Sequence, residues 1–314
     1  MMKQFKKIKI ISLSLLLTYS IHAISQESHD SENEISQEVT EEVIQKKGLR
    51  MGLYIGSYFA NQYTAGIYDG YGFDVDGRKN SWDNSLMNQK INMEYGGYGY
   101  AGQPDLIAQE LNIDYHSWTF DESDMPINMR YTPAFSVGLN CIYSVDVKNA
   151  ILLNVNLSKL NIGGNFTIIT PLQSGMTQIN DRIKTFAIKG GEQRMMFQFG
   201  YQKILGDNEK INFFVEGGLH VTVTKFDKNE IMINNLKINL ISYYNSVAYS
   251  SALLVKNPIG TGLGVFGGLG TNLTLNPKIT IQLLYSPTYE RVNIGLAPRL
   301  KLQNAIGLRA YYNF

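Results

Sequence analysis

The sequence predicts an all-β protein, namely a closed antiparallel up-and-down transmembrane β-barrel of about eight strands with long extracellular loops. Three observations predict this fold. Apolar and polar residues alternate with period two along several segments, and these segments are joined alternately by short turns and long loops. The chain is also rich in Gly, Tyr and Phe, with 29, 20 and 14 copies. Such alternation is expected to place one set of side chains in lipid and the other in the lumen.

The first residues predict export. A positive stretch with Lys3 and Lys9 precedes an apolar run at 10–17 and a small-residue cleavage site ending at Ala23. This order is typical of a signal peptide, which we assign to residues 1–23. Residues 24–48 are polar and acidic and are predicted to be a disordered periplasmic lead-in. The barrel, with its extracellular cap, is therefore assigned to residues 49–314.

The strands follow from the alternation, and the connections between them form two classes. Short turns are predicted at 146–149, 206–210 and 276–278, and they alternate with longer loops. The pattern predicts strands at residues 49–59, 129–143, 151–158, 194–203, 211–224, 259–273, 279–288 and 300–314. It predicts long loops at residues 60–128, 163–192, 226–258 and 290–298. Short periplasmic turns and long extracellular loops are typical of outer-membrane barrels.

A ten-stranded barrel is the alternative count. Residues 163–170, 183–189 and 230–241 also alternate like strands. We interpret them as hairpins that continue beyond the bilayer.

A soluble sandwich or lipocalin-like barrel is the alternative fold, because alternation alone does not distinguish the two. The polar face is crowded with Gly, Ser, Asn and Thr, as a narrow lumen requires, and aromatic residues lie near strand ends, as interfacial girdles do. Both features favour the membrane barrel. The net charge of +1 argues against a nucleic-acid partner.

The end of the chain carries a resemblance to a known class. Residues 308–314 place Leu308, Ala310, Tyr312 and Phe314 on one face, which resembles the terminal signal read by the barrel assembly machinery. The chain is similar to small eight-stranded outer-membrane barrels in the size class of the OmpA membrane domain and OmpX. Its long Tyr-, Asn- and Gly-rich loops resemble those of Bacteroidota-type barrels. The resemblance implies a cell outer membrane location, contact with outer-membrane lipid, insertion by the assembly machinery and outer-membrane protein partners.

Charged residues on the inward face predict an ion-pair plug, because a lumen of about eight strands is only wide enough for its own side chains. Buried charges need partners, and Glu216, with Glu290 as a further candidate, supplies the opposite sign. The predicted plug consists of Arg50, Arg130, Arg194, Glu216, His220, Lys301 and Arg309. The alternative is a narrow pore for ions or small solutes.

An enzyme hypothesis arises at His220 and Thr222, with Glu216 on the same face. The arrangement resembles the His-x-Ser pattern of barrel hydrolases that modify lipid A, although a threonine stands in place of the serine. The alternation places His220 in the lumen rather than among acyl chains. We therefore predict no catalytic residues and no enzyme, with a lipid-A- or phospholipid-modifying enzyme as the second alternative function.

Loop 60–128 is much longer than a simple connection and is rich in apolar residues, which indicates a folded or functional segment. It predicts a folded extracellular cap with a short helix at 104–111, and its aromatic residues are candidates for recognition, the alternative being that they pack the cap on the rim. These candidates are Trp82, Tyr95, Tyr98, Tyr100 and Trp118. Acidic runs at 69–77 and 121–124 leave calcium binding open, but their spacing departs from the EF-hand pattern, so no metal or cofactor is predicted.

Together these patterns predict a structural or partner-binding subunit of an outer-membrane assembly, which acts through its extracellular loops.

Overall fold

The computed structural model describes residues 48–73, 78–99, 102–172, 182–208, 210–240, 259–294 and 299–313. Ten strands form one sheet. They are β1 (Gly48–Phe59), β2 (Arg130–Tyr131), β3 (Ala134–Ser144), β4 (Asn149–Ile169), β5 (Ile183–Leu205), β6 (Ile211–Ile233), β7 (Leu236–Asn239), β8 (Ile259–Asn276), β9 (Ile279–Asn293) and β10 (Leu300–Asn313).

Eight of these strands close into a hydrogen-bonded ring in which sequential strands are antiparallel neighbours. The closing pair is β1 with β10, in a register that sets Leu53 opposite Ala310 and Arg50 opposite Asn313. The remaining two strands, β2 and β7, pair with β4 and β6 outside the ring. The predicted up-and-down barrel of eight strands is therefore confirmed.

The two faces of the barrel wall differ sharply in polarity. Outward side chains are large and apolar, as at Leu53, Leu139 and Leu263, which are 64%, 64% and 68% exposed. Inward side chains such as Arg194 and Gln202 are buried. An apolar exterior around a polar interior is the arrangement that lipid imposes on a spanning sheet. The chain therefore folds as a membrane-spanning β-barrel whose apolar exterior is suited to contact with lipid. Within the described residues, no helix is long and apolar enough to cross a membrane.

On the side opposite the short turns, β4, β5 and β6 rise beyond the other strands, and β7 extends this taller sheet by one more strand. The prediction that the strand-like residues 163–170, 183–189 and 230–241 prolong hairpins is thus correct for β4 and β5 and for β6 with β7. A one-residue register shift at Gly191/Glu192 accompanies the extension. It leaves one extra residue in β6, and the odd-numbered Ile231 and Ile233 become the buried ones.

The long first loop folds into a cap against this taller sheet. It contains a 3-10 helix at Gln62–Tyr68, a short α-helix at Leu86–Asn88 that continues as a π-helix at Gln89–Tyr95, an α-helix at Leu106–Leu111 and a 3-10 turn at Glu122–Asp124. Buried side chains from the cap and from β4 to β7 form one apolar cluster. The main cap members are Ile67, Tyr68, Met87, Ile91, Ile107, Trp118 and Phe120, and the sheet contributes Phe166, Ile168, Ile188, Ile231 and Ile238.

The predicted strand at 129–143 is wrong at its start, and this removes Arg130 from the predicted plug. β3 begins only at Ala134, after Pro133, whose missing N–H cannot join the ladder. Arg130 pairs with Gly163 in a register one residue away from that of β3. A slip of one residue exchanges the faces of a strand. Arg130 is therefore exposed, and Tyr131 turns toward the cap core and the lumen mouth.

The predicted signal peptide lies outside the described residues, as do nearly all of the acidic lead-in and two further predicted residues, Tyr100 and Phe314. The other members of the terminal row, Leu308, Ala310 and Tyr312, are exposed on the outer wall of β10.

Trp118 provides a test of the cap as a folded unit. It is 2% exposed, and its indole N–H donates to the Asp105 carboxylate. Replacing Trp118 with Ala should cost about 3–5 kcal/mol by leaving a cavity in the cap core. We expect faster limited proteolysis of the cap while the barrel keeps its heat-dependent shift in electrophoretic mobility. The control is Ile127→Ala, since Ile127 is 88% exposed. Equal protease resistance in the Trp118 variant and the native chain would contradict the cap's dependence on this core.

Candidate functional site

The half of the lumen nearer the short turns, here called the lower lumen, contains a buried ion pair between β10 and β6. Arg309 donates through Nη1 and Nη2 to the two carboxylate oxygens of Glu216, at 2.7 and 2.8 Å. The Gln202 amide donates to Glu216 at 3.1 Å. The Gln282 amide donates to Gln202 and accepts from Arg309, both at 3.4 Å. This bidentate geometry pairs the opposite charges and also hydrogen-bonds both carboxylate oxygens, as burial of the two ions requires. The structure places Arg309 and Glu216, both predicted members of the plug, inside the lumen, where they bind each other.

Arg194 forms the centre of a second network at the mouth of the lumen beneath the cap. Its Nε donates to Glu192 at 2.6 Å, and Nη1 donates to the Tyr58 hydroxyl at 3.1 Å. The Tyr58 hydroxyl in turn donates to Glu290 at 3.2 Å. All four side chains are buried. Sequence reasoning identified Arg194 and Glu290 but missed Glu192, because residues 163–192 were interpreted as a loop. The available signal was the spacing of Glu192 and Arg194, which are two apart on the inward row of β5.

The cap is hydrogen-bonded directly to this network. Arg194 Nη2 donates to Thr64 Oγ1 at 3.1 Å, and the Tyr68 hydroxyl donates to Glu192 at 2.7 Å. Both cap residues belong to the 3-10 helix. The Tyr68 ring stacks on Phe226 and lies over Gly190, where an added Cβ would come within 2.4 Å of the ring. The absence of a side chain at Gly190 therefore lets the cap approach the lumen charges closely.

His220 lies in the lumen as predicted, but its carboxylate neighbour differs from the predicted one. Its Nε2 is 2.8 Å from Thr222 Oγ1, and the Thr222 hydroxyl donates to Glu290 at 2.6 Å. Glu216 is instead engaged by Arg309. The three groups His220, Thr222 and Glu290 are buried and hydrogen-bonded to one another, so they extend the mouth network across β6 and β9.

Among the described residues, a cavity of about 20 Å³ lies between the two networks, lined by residues that include Tyr54, Asn156 and Gln198. That volume holds about one water molecule. The lumen in this part is therefore filled by the protein's own side chains, as an eight-stranded ring predicts.

Two further residues of the predicted plug occupy other positions. Arg50 is buried at the end of the lumen nearer the short turns and donates to Ser144 Oγ at 3.1 Å, with its guanidinium 5.9 Å from the centre of the Tyr311 ring. Lys301 lies near the start of β10 at the mouth, where its ammonium is 5.1 Å from the Tyr63 ring centre. The prediction that Lys301 belongs to the lumen ion pairs is wrong, because its side chain contacts the loop that follows β1.

The predicted recognition residues separate into buried and exposed groups. Trp118 belongs to the cap core, so the prediction that it recognises a partner is wrong. Trp82 and Tyr95 are half-buried and pack against the same core. Tyr98 is 50% exposed.

Sequence reasoning missed the two residues that accompany Tyr98. His116 stacks with Tyr98 at 3.9 Å between ring centres and with Tyr115 at 3.8 Å. Tyr115 is 61% exposed, and His116 Nε2 donates to the Gly96 carbonyl at 2.8 Å. We call Tyr98, Tyr115 and His116 the aromatic stack. No periodic pattern marks these residues, since distant segments of the loop bring them together.

The acidic runs are used by the protein's own groups where the structure describes them. Lys79 binds Asp69 at 2.6 Å, and burial raises the pKa of Asp69 although the Lys79 ammonium opposes the shift. Asp124 accepts from Thr167 and from the Asp121 backbone N–H. Residues 74–77 lie outside the described part. Within the described ranges, no group of three or more His, Cys, Asp or Glu side chains is placed to hold a metal ion.

Comparisons with solved structures find outer-membrane proteins. OprG, an outer-membrane protein of Pseudomonas aeruginosa, shares 11% identity, with coverage of 86% of this chain and 96% of its own and a TM-score of 0.36. Ail, the attachment invasion locus protein of Yersinia pestis, shares 9% identity over 86% and 100%, with a TM-score of 0.34. OmpT, an outer-membrane protease of Escherichia coli, shares 9% over 85% and 96%, with a TM-score of 0.30. No protein-family model and no curated protein matches the sequence.

One prediction is corrected by these comparisons. The sequence analysis predicted that the chain is not an enzyme, and that exclusion was wrong, because a protease is among the barrels similar to this chain. An outer-membrane barrel does not exclude enzymatic activity by its fold.

The lower ion pair can be tested by removing one partner and then both. Arg309→Met leaves the Glu216 carboxylate buried without its cation and should destabilise the barrel by about 3–5 kcal/mol. Adding Glu216→Gln removes the unpaired charge and should restore much of the loss. Urea unfolding of the full chain in lipid vesicles measures both effects.

The control is Arg50→Met, since the described neighbours of Arg50 include no carboxylate within 4.0 Å. If the double variant were less stable than Arg309→Met alone, the ion pair would not be the reason for the loss.

Proposed function

We propose that this protein is a structural or partner-binding subunit of an outer-membrane assembly, and that it binds its partner through the extracellular cap. The observation that carries the proposal is the cap itself. It has a buried core of its own against β4 to β7, and it leaves the aromatic stack exposed. Tyrosines held rigidly in this way offer a large contact area at little cost in side-chain entropy.

The lumen supports a binding role over the alternative of a narrow pore. The charged side chains of the two networks are paired with one another, and the described space between these networks holds about one water molecule. A passage for solutes would require these pairs to separate, and separating buried pairs is costly.

The assignment to the OmpA and OmpX size class and to Bacteroidota-type barrels stays a prediction. Recognition of the last strand by the barrel assembly machinery is part of the same proposal. The outward row of Leu308, Ala310 and Tyr312 supports it.

The test replaces the two exposed tyrosines with a smaller polar residue. In the full-length protein, Tyr98→Ser with Tyr115→Ser should reduce the yield of cross-linked partners from intact outer membranes at least tenfold. The reason is that buried aromatic contacts at interfaces often contribute about 2 kcal/mol each. Quantitative mass spectrometry after mild detergent extraction measures the yield.

Ile127→Ser is the matched control, since Ile127 is exposed on the same cap. Heat-dependent mobility confirms that each variant barrel is folded. Undiminished cross-linking in the double tyrosine variant, or an equal loss in the Ile127 control, would refute binding through the aromatic stack.

A further inference from the structure

The outer wall of β4, β5 and β6 changes from apolar to basic within one step along the strands. Leu157, Met195 and Val223 are neighbours across these strands and face outward. The next outward set toward the extracellular side is Lys159, Gln193 and Lys225, which are also neighbours across the three strands. This change marks the extracellular end of the apolar surface on this side of the barrel.

The irregularity in β6 brings a further lysine to the same place. The extra residue in β6 is Asp227, which lies between Lys225 and Lys228, so these two lysines both face outward although they are three apart. The side chain of Lys228 lies over Gly191, where an added Cβ would come within 3.1 Å of it. We call Lys159, Lys225 and Lys228 the lysine patch. Two of its side chains, those of Lys159 and Lys228, are 63% and 40% exposed.

Carboxylates compensate only part of this charge. Asp227 is 3.4 Å from Lys159, and Glu230 is 3.5 Å from Lys228 and 2.6 Å from Lys237. Lys225 has no carboxylate within 4.0 Å among the described residues. The patch therefore keeps an excess of positive charge centred on Lys225.

We propose that the lysine patch binds the phosphate group of an anionic lipid headgroup in the outer leaflet. Lys159 and Lys225 are two strand spacings apart, about 10 Å, so their flexible side chains can approach one phosphate from both sides. The Gln193 amide lies between them as a further donor.

The surface beneath the patch identifies a lipid as the source of the phosphate. Acyl chains of the outer leaflet lie against Leu157, Met195 and Val223, and the headgroup of a lipid held there is at the height of the ammonium groups. Lysines at such a boundary extend toward the headgroups while their methylene groups stay against apolar surface. A free phosphate ion would gain nothing from the apolar row.

The experiment measures lipid binding to the purified full-length barrel by native mass spectrometry. Phosphatidylglycerol is the probe, with phosphatidylcholine of the same acyl chains and inorganic phosphate as comparison ligands. Lys159→Gln with Lys225→Gln should weaken phosphatidylglycerol binding about 30-fold, since each lysine near an anionic lipid surface contributes about a fivefold change. Phosphatidylcholine binding should stay unchanged, and inorganic phosphate should not compete at millimolar concentration.

The matched control is Lys203→Gln with Lys210→Gln, which removes one lysine near the end of β5 and one from the turn before β6, at the opposite end of the barrel. Equal losses in the control and the patch variant would overturn the proposal, and so would unchanged binding in the patch variant. Competition by inorganic phosphate as strong as that by the lipid would exclude a lipid-specific site.

A gain in binding provides an independent test that a damaged barrel could not imitate. Asp227→Asn removes the carboxylate beside Lys159 and should strengthen phosphatidylglycerol binding about fivefold. Weaker or unchanged binding in this variant would contradict the role of the patch.

Discussion

Inside a bilayer every backbone N–H and C=O group must find its hydrogen-bond partner within the protein, and this constraint determines the rest of the structure. A sheet meets the constraint only when its two edges are joined. Here the edges are β1 and β10, which pair along ten residues from Arg50 to Phe59. Once the ring is closed, each strand has one face toward lipid and one toward the lumen. Charged residues at membrane height are then directed inward.

The closed ring in turn requires the lumen charges to be paired. Eight strands leave no water-filled centre wide enough to solvate them. Arg309 is therefore held by Glu216, and Arg194 by Glu192 and the Tyr58 hydroxyl. At the mouth, the wall alone does not supply enough partners, and Thr64 and Tyr68 of the cap complete the network. The cap is consequently linked both to the apolar core above the membrane and to the charges within the barrel.

The sequence allowed the ring to be predicted because each ring strand keeps a period of two over most of its length, a local property that one chain segment displays by itself. The errors arose where the period slips. Pro133 interrupts the ladder and exchanges the faces of Arg130 and Tyr131, and the extra residue in β6 does the same above Lys225. Neither slip can be located from alternation alone, because each depends on how the neighbouring strand pairs.

The cap was predictable as a folded element but not in its details. Its apolar content indicated a core, yet which aromatic residues enter that core is decided by long-range contacts. Trp118 lies in the core with its indole N–H satisfied by Asp105, whereas Tyr98 stacks on His116 at the cap surface. Glu192 was missed because the sequence analysis ended the strand at the edge of the apolar outer surface. In the structure, β5 continues beyond this edge and includes Glu192.

We propose that paired side chains fill the lumen and prevent passage of solutes. Single-channel recording of the full-length protein in planar lipid bilayers tests it most directly, with a general porin added to the same bilayer as the positive control. We expect that insertion of the folded barrel produces no large, stable conductance in molar salt. A large and stable conductance that appears with each inserted barrel would contradict it.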